Sequence, residues 1–251
     1  MTQRRVLVTG GGRGLGAAIV RALAEAGHSV TFTYRSASGE AEALASELTA
    51  AHPGQSFTPR QVDFADKAAV EDFVKSLEGD TPYSGFVHNA GQAYDTLAAI
   101  LDQAKAETVM QVNFWSFTRI VTALVRPMTR ARDGRIVIIG SVTADRGNQG
   151  NAAYAASKAA LAGYMRTLAI ETARRGVTVN LVAPGFIDTE MMAPYAAYRE
   201  KMEGQIPAGR FAQPSDIAGV VAFLLSPAAA YLTGAVLPVD GGLSASIGIQ
   251  R

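Results

Sequence analysis

Two side chains suited to proton transfer, Tyr154 and Lys158, stand one helical turn apart. Residues at positions i and i+4 of a helix share one face, and the same stripe continues through apolar Leu161, Met165 and Leu168. An ammonium group in line with a buried stripe is costly unless it has a function, although a lysine near a helix start can also extend into solvent. A phenol with an ordinary pKa near ~10 is a weak acid at neutral pH, and an adjacent cation lowers that pKa. The pair therefore predicts a general acid, Tyr154, whose pKa is tuned by Lys158.

A third polar side chain, Ser141, follows the apolar run Arg135 to Ile139 and precedes Tyr154 by thirteen residues. Parallel sheets bind ligands beyond the carboxyl ends of their strands, so we expect this hydroxyl at the same site, although serine at a strand end is commonplace. It could hydrogen-bond a carbonyl and orient it. Hydride addition to a carbonyl yields an alkoxide that must be protonated, and the three side chains together indicate carbonyl reduction.

A glycine-rich turn, with Gly10, Gly14, Leu15 and Gly16, joins the first apolar run to a helical pattern. Glycines permit positive φ and let the backbone approach a pyrophosphate, which binds the free N–H groups at a helix N-terminus. The spacing is not the G-x-G-x-x-G form, and such turns also serve packing. The position at the first strand-to-helix junction nevertheless favours dinucleotide binding.

The second apolar run, Ser29 to Tyr34, indicates which dinucleotide binds. A carboxylate near the end of this strand would bind the ribose 2′-hydroxyl of NAD, but the first acid here is Glu40. Arg35 and Arg13 instead stand where a 2′-phosphate would lie, and the planar guanidinium suits phosphate. The alternative is two solvated arginines. The expected cofactor is NADPH.

The segments that must position these residues alternate between short β-branched runs and longer amphipathic stretches. Near-continuous apolar runs are typical of parallel strands buried on both faces. The predicted strands are Arg5 to Thr9, Ser29 to Tyr34, Phe57 to Val62, Gly85 to His88, Arg135 to Ile139, Val177 to Val182 and Ala235 to Val239. The pattern predicts a single α/β domain over residues 1–251, a Rossmann-type doubly wound seven-stranded parallel sheet with helices on both faces.

The composition narrows the class of protein. With 23 basic and 22 acidic residues the net charge is +1, which favours neither nucleic acid nor a membrane surface as partner. The chain has no cysteine, which excludes disulfides and thiolate metal sites, and His28, His52 and His88 are too far apart to suggest a metal motif. No apolar stretch approaches the ~18 residues of a membrane span, and the first apolar run is too short for a signal peptide. We expect a soluble cytoplasmic protein that holds no metal.

Together these motifs resemble those of the short-chain dehydrogenase/reductase family over essentially the whole chain. The resemblance is carried by the glycine turn, Asp63, Asn89-Ala90-Gly91, Asn113, Ser141, Tyr154, Lys158, Pro184-Gly185 and Thr189. It implies that Asp63 contacts the adenine ring, Asn89 steadies the central strand and Thr189 bonds the nicotinamide carboxamide. It also implies that Asn113 holds a water linking Lys158 to solvent, and that Lys158 bonds the nicotinamide ribose.

The resemblance and the motifs define two sets of site residues. The expected catalytic set is Asn113, Ser141, Tyr154 and Lys158. The expected cofactor-binding set is Gly10, Arg13, Gly14, Leu15, Gly16, Arg35, Asp63, Phe64, Asn89, Ala90, Gly91, Tyr154, Lys158, Pro184, Gly185, Ile187 and Thr189.

Within the family the chain is most similar to 3-oxoacyl-[acyl-carrier-protein] reductases. The similar stretches are Gly134 to Ser141, Gly147 to Gly150, Gly176 to Asn180, Ala183 to Ile187 and Ile206 to Arg210. The similarity implies an acyl carrier protein docked on Arg132 and Arg175, with Arg126, Arg130 and Arg174 nearby, although arginines at helix ends are often merely solvated. It also implies a homotetramer that pairs the long helices around Asn113 and Tyr154.

Two departures from the family pattern point to a specialised acyl chain, such as a polyketide or polyene intermediate. His88 replaces a usual asparagine, and the substrate-side segment Gln92 to Ala106 is not distinctive. The alternative is an NADP(H)-dependent dehydrogenase or reductase that acts on a free alcohol, a sugar or another ketone. A non-catalytic NADPH-binding sensor predicts a broken catalytic set, whereas all four catalytic candidates are present. Met191 to Gln205 is interpreted as a loop with a helical insertion, either a lid or a plain surface connection. The apolar tail Leu243 to Ile249 suits burial against a neighbouring subunit or disorder.

Overall fold

A computed structural model describes residues 4–245 of the chain, and these form a single parallel sheet covered by helices. The strands are β1 Arg5–Thr9, β2 Ser29–Tyr34, β3 Phe57–Gln61, β4 Gly85–His88, β5 Gly134–Ile139, β6 Val177–Pro184 and β7 Val236–Val239. Their order is β3-β2-β1-β4-β5-β6-β7, and every neighbouring pair is parallel. The direction of winding reverses between β1 and β4, which is where such sheets bind ligands.

The longer connections between strands are helical. The helices are α1 Gly14–Glu25, α2 Ser38–Ala51, α3 Lys67–Glu78, α4 Gln103–Met110, α5 Ser116–Ala131, α6 Ala152–Thr172, α7 Arg199–Glu203 and α8 Pro214–Leu225. A single π turn, Gln111–Trp115, joins α4 to α5. Among residues 4–245, no helix is both long and apolar enough to cross a membrane.

Two apolar clusters, one on each face of the sheet, hold the layers together. Strand side chains alternate between faces, so Val6 and Val8 pack under α1, α2 and α8, whereas Leu7 packs under α3, α5 and α6. Residues in both clusters are almost fully buried. The predicted doubly wound seven-stranded fold is confirmed, and the main difference is that β6 continues to Pro184, two residues beyond the predicted end.

The segment after β6 returns to the body of the protein through a 3₁₀ stretch, Glu190–Tyr198, followed by the short helix α7. Arg199 anchors it, because its guanidinium donates two hydrogen bonds to the Asp188 carboxylate, at 2.9 and 2.7 Å, and one to Glu203. The predicted loop with a helical insertion is therefore observed, and it is exposed. Of the apolar tail, Leu243 packs half-buried on the core, and residues 246–249 lie outside the described part of the chain.

Candidate active site

The glycine turn forms the strand-to-helix junction that the sequence predicts. Gly10 and Gly14 have φ angles of +67° and +53°, a region in which a side chain would be strained. The Gly10 N–H donates to Thr33 Oγ1 at 3.0 Å, which ties the turn to β2. Arg13 is the N-cap of α1 but makes no side-chain capping bond, so the first turn of the helix keeps backbone donors for a ligand.

Close packing at this turn requires glycine and fits a dinucleotide. A methyl group on Gly16 would lie 1.9 Å from the Gly10 carbonyl oxygen. Across the turn, Asn89 Nδ2 donates to the carbonyls of Thr9, at 3.2 Å, and Gly10, at 2.9 Å, which links the ends of β1 and β4. Leu15 packs half-buried on the core. These contacts leave the helix N-terminus facing the switch point of the sheet, where a pyrophosphate would bind.

The two arginines assigned to the 2′-phosphate have different surroundings. Arg13 donates to Glu190 at 3.0 Å, so it joins the phosphate turn to the segment after β6, and both side chains are largely exposed. A cavity of about 330 Å³ beside the turn is lined by Arg13, Glu40 and Glu190, among others. Arg35 is exposed at the end of β2, where its carbonyl accepts a hydrogen bond from Gln61.

The remaining cofactor-binding candidates lie at the carboxyl edge of the sheet or next to it. Asp63 is exposed and its carboxylate accepts the Ala65 N–H at 2.9 Å, while Phe64 is buried. Ala90 is buried behind the turn, and a methyl group on Gly91 would lie 3.4 Å from Lys158 Nζ.

A second group lies where β6 ends. Pro184 is the last residue of β6, and Gly185 packs so tightly that a methyl group there would lie 2.9 Å from Asp240 Cβ. Ile187 forms an isolated bridge with Ala212. Thr189 Cγ2 would lie 3.7 Å from a methyl group on Gly14, so the residue expected at the nicotinamide lies next to the phosphate turn.

Lys158 is buried, with a relative exposure of 3%, so the alternative of a lysine extending into solvent is wrong. Its ammonium donates to the Ile139 carbonyl at 2.9 Å, at the end of β5. Burial lowers the pKa of Lys158 to about 8, because the charged form loses its hydration. Of the expected apolar stripe, Leu161, Met165 and Leu168 are all buried.

Tyr154 lies in the first turn of α6, and Lys158 Nζ is 5.6 Å from the centre of its ring. Burial raises the pKa of this phenol, a hydrogen bond with Ser141 opposes the rise, and the charge of Asp95 adds to it. The expected fall in the pKa of Tyr154 is therefore wrong here, because loss of hydration outweighs the hydrogen bond with Ser141. A phenol that keeps its proton is the form that a proton donor needs.

Ser141 caps the short turn that follows β5, where its hydroxyl accepts the Thr143 N–H at 3.2 Å. Thr143 Oγ1 also donates to Ser141 Oγ at 2.9 Å. These contacts fix the serine oxygen beside the Tyr154 phenol. The structure thus brings Ser141, Tyr154 and Lys158 together at the carboxyl end of β5.

Asn113 lies in the π turn between α4 and α5 and is fully buried. Its amide donates to the Gln92 carbonyl at 3.1 Å and to Ser157 Oγ at 2.8 Å, and its Oδ1 accepts the Gln92 N–H at 2.8 Å. Ser157 in turn donates to the Tyr154 carbonyl at 2.7 Å. The Asn113 side chain thus connects the substrate-side segment to the catalytic helix, and the expected water at this residue stays a prediction.

Two functional contacts were not foreseen from the sequence. The Asp95 carboxylate accepts a hydrogen bond from Asn151, the N-cap of α6, and Thr96 N–H donates to the Gly150 carbonyl at 2.8 Å. The segment that looked undistinctive is therefore docked on the start of the catalytic helix. Asp95, four residues after Gly91, was the only sign of this contact in the sequence. Its partner Asn151 lies 56 residues away, so spacing could not relate the two.

The arginines assigned to carrier docking come from two turns that touch. Arg132 ends α5 with a φ of +56°, and its guanidinium donates to the Arg174 carbonyl at 3.0 Å. Arg175 ends the adjacent short 3₁₀ turn after α6. The backbones are in contact, since a methyl group on Gly176 would lie 2.3 Å from the Arg132 carbonyl oxygen. The exposed arginines of this basic patch are Arg126, Arg130, Arg132, Arg174 and Arg175.

No group of three or more histidine, aspartate or glutamate side chains within residues 4–245 is arranged to hold a metal ion.

Comparison with known proteins identifies the family. A family model described as enoyl-(acyl carrier protein) reductase matches residues 10–244. The chain is 41% identical over 241 residues to the 3-oxoacyl-[acyl-carrier-protein] reductase FabG of Vibrio cholerae, covering 94% of this chain and 96% of the relative.

Two solved structures are similar throughout. A short-chain dehydrogenase/reductase from Serratia marcescens has a TM-score of 0.89 at 37% identity, covering 96% of this chain and 98% of that one. A blue fluorescent protein from a metagenomic library, in complex with NADPH, has a TM-score of 0.88 at 38% identity, covering 96% and 97%. The chain therefore belongs to the short-chain dehydrogenase/reductase family.

Proposed function

We propose that this protein uses NADPH to reduce a 3-oxoacyl thioester, carried by acyl carrier protein, to the 3-hydroxyacyl form in fatty-acid or polyketide-type biosynthesis. The observation that carries the proposed chemistry is the buried Lys158 ammonium beside the Tyr154 phenol, with Ser141 at the same strand end. The substrate class is supported by the relative named as a 3-oxoacyl-[acyl-carrier-protein] reductase.

The residues present fit a reduced nicotinamide dinucleotide, which supplies a hydride to the carbonyl carbon when bound. The α1 N-terminus and its glycine turn would hold the pyrophosphate, with Thr189 near the nicotinamide end. NADPH is proposed over NADH because Arg13 and Arg35 flank the expected 2′-phosphate position. The NADPH complex of the metagenomic relative supports the same choice.

The protein's own groups manage the proton and the carbonyl oxygen. The Ser141 hydroxyl donates to the substrate carbonyl and orients it, and the Tyr154 phenol gives its proton to the oxygen as the hydride arrives. The carbonyl becomes a secondary alcohol, and the phenolate left behind is stabilised by the Lys158 ammonium. One proton is then taken up from solvent, so each turnover consumes one hydride and one proton.

The basic patch at Arg132 and Arg175 is the proposed docking surface for the acidic carrier protein. Both residues are exposed, and the contact between their turns holds the two side chains on one small area. Charge complementarity of this kind mainly raises the association rate and selects the partner.

The protein is also proposed to be a homotetramer that pairs α5 and α6 between subunits. Ile170 on α6 is 81% exposed, and Trp115, just before α5, is 48% exposed. Large apolar side chains on these helices are suited to burial in a subunit interface.

The deciding experiment compares NADPH oxidation with one 3-oxoacyl chain presented on acyl carrier protein, on coenzyme A and as a free ketone. The proposal expects the highest kcat/KM with the carrier protein, and equal turnover of small free ketones would favour the alternative of a free alcohol, sugar or ketone substrate. A series of chain lengths would then test a specialised acyl group.

Charge reversal within the patch separates docking from chemistry. Arg132→Glu and Arg175→Glu should each raise KM for the carrier-bound substrate and leave KM for the coenzyme A thioester unchanged. Lys75→Glu, a charge reversal at an exposed position on α3, is the control. If the patch variants alter neither value, docking on these arginines is wrong although reduction itself stands.

A further inference from the structure

His88, the residue that departs from the family pattern, lies fully buried at the end of β4 between the dinucleotide turn and the π turn. Its Nε2 lies 2.9 Å from the backbone carbonyl oxygen of Asn113, and its Nδ1 lies 3.1 Å from Thr9 Oγ1. The ring packs against Phe117, with centroids 5.1 Å apart. Both ring nitrogens are thus within hydrogen-bond distance of a fixed partner.

The partners determine which nitrogen carries the proton. A carbonyl oxygen only accepts, so Nε2 must be protonated and donate to Asn113. Thr9 Oγ1 already accepts two backbone N–H groups, those of Asn89 and Ala90, each at 3.1 Å. A hydroxyl has two acceptor lone pairs and one proton, so the Thr9 hydroxyl must donate to an unprotonated Nδ1.

An imidazolium would have no acceptor for its second N–H and would lie in an environment that opposes a positive charge. Burial, together with the charge of Lys158, lowers the pKa of His88 to about 3, although the bond to the Asn113 carbonyl opposes this fall. The hydrogen-bond partners and the surrounding charges therefore both favour a neutral His88 imidazole.

The carbonyl held by His88 belongs to an irregular part of the chain. In the π turn the Ser116 N–H donates to the Gln111 carbonyl, and side chains donate to the next two carbonyls. Ser116 Oγ donates to Val112 at 2.6 Å, and His88 Nε2 donates to Asn113. A π turn is costly unless its surroundings fix it, and it often marks a functional position.

The π turn that contains Asn113 is connected to the backbone of Tyr154 through two hydrogen bonds. Its amide donates to Ser157, whose hydroxyl donates to the Tyr154 carbonyl in the first turn of α6. A shift of the π turn would therefore move the segment that carries Tyr154. Misplacement of a reacting group by about 1 Å can lower a rate by roughly 100-fold.

We propose that His88 is a positioning residue: its neutral imidazole, protonated at Nε2, holds the Asn113 carbonyl and so sets the position of Tyr154 for proton transfer. The Thr9 hydroxyl fixes the tautomer and couples it to the end of β1. The proposal rests on the proposed reductase function only for its activity readout.

The tautomer is tested by nuclear magnetic resonance on the whole protein labelled with ¹⁵N in histidine, with His88 signals assigned by their loss in His88→Gln. The expected result is a protonated Nε2 and an unprotonated Nδ1 from about pH 5 to pH 9, a range in which an ordinary histidine changes its charge. A protonated Nδ1, or titration within this range, would overturn the proposal whatever the substrate is.

The positioning role is tested with His88→Leu and His88→Gln. The leucine variant loses the donor, and we expect kcat to fall about 10- to 100-fold while the Kd for NADPH changes less than about threefold. Glutamine can place an N–H near the Nε2 position, so it should recover at least about tenfold of that loss, as the restored hydrogen bond predicts. His52→Leu, far from the site, is the control.

A merely structural role would give a different pattern. Both His88 variants would then lose thermal stability alike, and kcat below their unfolding temperatures would match that of the unmodified protein. That result overturns the proposal. If the leucine variant does not fold, the resonance measurement and the kcat of the glutamine variant decide.

Discussion

Lys158 Nζ lies 5.6 Å from the centre of the Tyr154 ring, and the same ammonium donates a hydrogen bond to the Ile139 carbonyl at 2.9 Å. The strand end thus holds the cation in place beside the phenol. Lys158 is buried and Tyr154 is half-buried, so solvent only partly screens the charge of one group from the other. Substitutions at Tyr154 and at Lys158 should therefore separate proton donation by the phenol from charge stabilisation by the ammonium.

Replacing Tyr154 with phenylalanine should abolish the proton donor and leave the fold intact. We expect kcat to fall by about 10²- to 10⁴-fold, the usual contribution of general acid catalysis, because water must then protonate the alkoxide. The Kd for NADPH, followed by its fluorescence, should change little. Tyr231→Phe, at a fully exposed tyrosine, is the control, and a Tyr154→Phe variant with normal turnover would show that another group is the acid.

The rate of reduction should depend on pH through Lys158. Burial lowers the pKa of Lys158 to about 8, so the ammonium is present below that pH and is lost above it. Because the cation stabilises the phenolate formed during proton transfer, kcat should be constant at lower pH and fall as the pH rises through about 8. Stopped-flow measurement of NADPH oxidation across this range tests the expectation. Lys158→Met should have a low kcat at every pH. If kcat of this variant still falls as the pH rises through about 8, the group that titrates there is not Lys158.

Much of this site was predictable because its parts are local in sequence. The strand runs, the glycine turn, and Tyr154 and Lys158 on one helical face depend on spacings of a few residues, and all are found in the fold. Seven parallel strands followed from the alternation of apolar runs with amphipathic stretches. Boundaries differed by one or two residues, where strand ends depend on their neighbours.

The remaining features depend on residues that only the fold brings together. His88 and Thr9 are 79 positions apart, and Arg13 and Glu190 are 177 apart, so no spacing rule relates them. The raised pKa of Tyr154 was missed for the same reason, since burial depends on what packs over a side chain. The π turn at Asn113 leaves no pattern in an otherwise helical stretch.

The ion pair between Arg13 and Glu190 should compete with the cofactor for the arginine. If Arg13 binds the 2′-phosphate, Glu190→Gln frees it, and KM for NADPH should fall. The effect should be at most about fivefold, because an exposed ion pair is weak. KM for NADH should not change. Glu200→Gln, at an exposed acid on α7, is the matched control. If Glu190→Gln changes KM equally for NADPH and NADH, Arg13 does not bind the 2′-phosphate.

Adding one methyl group at Gly16 should disrupt the dinucleotide turn. The new carbon would lie 1.9 Å from the Gly10 carbonyl oxygen, so the backbone must move. We expect Gly16→Ala to lower the free energy of unfolding by about 1–3 kcal/mol and to weaken NADPH binding. Gly219→Ala is matched, because this helical glycine has no neighbouring atom near the added carbon and the change should stabilise the fold by about 0.5–1 kcal/mol. Urea unfolding and fluorescence titration measure both effects, and equal stabilities of the two variants would contradict the packing argument.

The Asp95 carboxylate should set how firmly Tyr154 holds its proton. Burial is the main cause of the raised pKa of Tyr154, and the negative charge of Asp95 adds to it, so Asp95→Asn should lower that pKa. The phenol would then ionise at a lower pH, whereas the decline of reduction near pH 8, which is assigned to Lys158, should keep its position. The phenolate can be followed by ultraviolet difference titration, with Tyr154→Phe subtracted to isolate its signal. Asp102→Asn, which alters the N-cap of α4 further along the same segment, should leave the titration unchanged. If the two aspartate variants titrate alike, the charge of Asp95 does not reach the phenol, and the segment from Gln92 serves only to hold the start of α6.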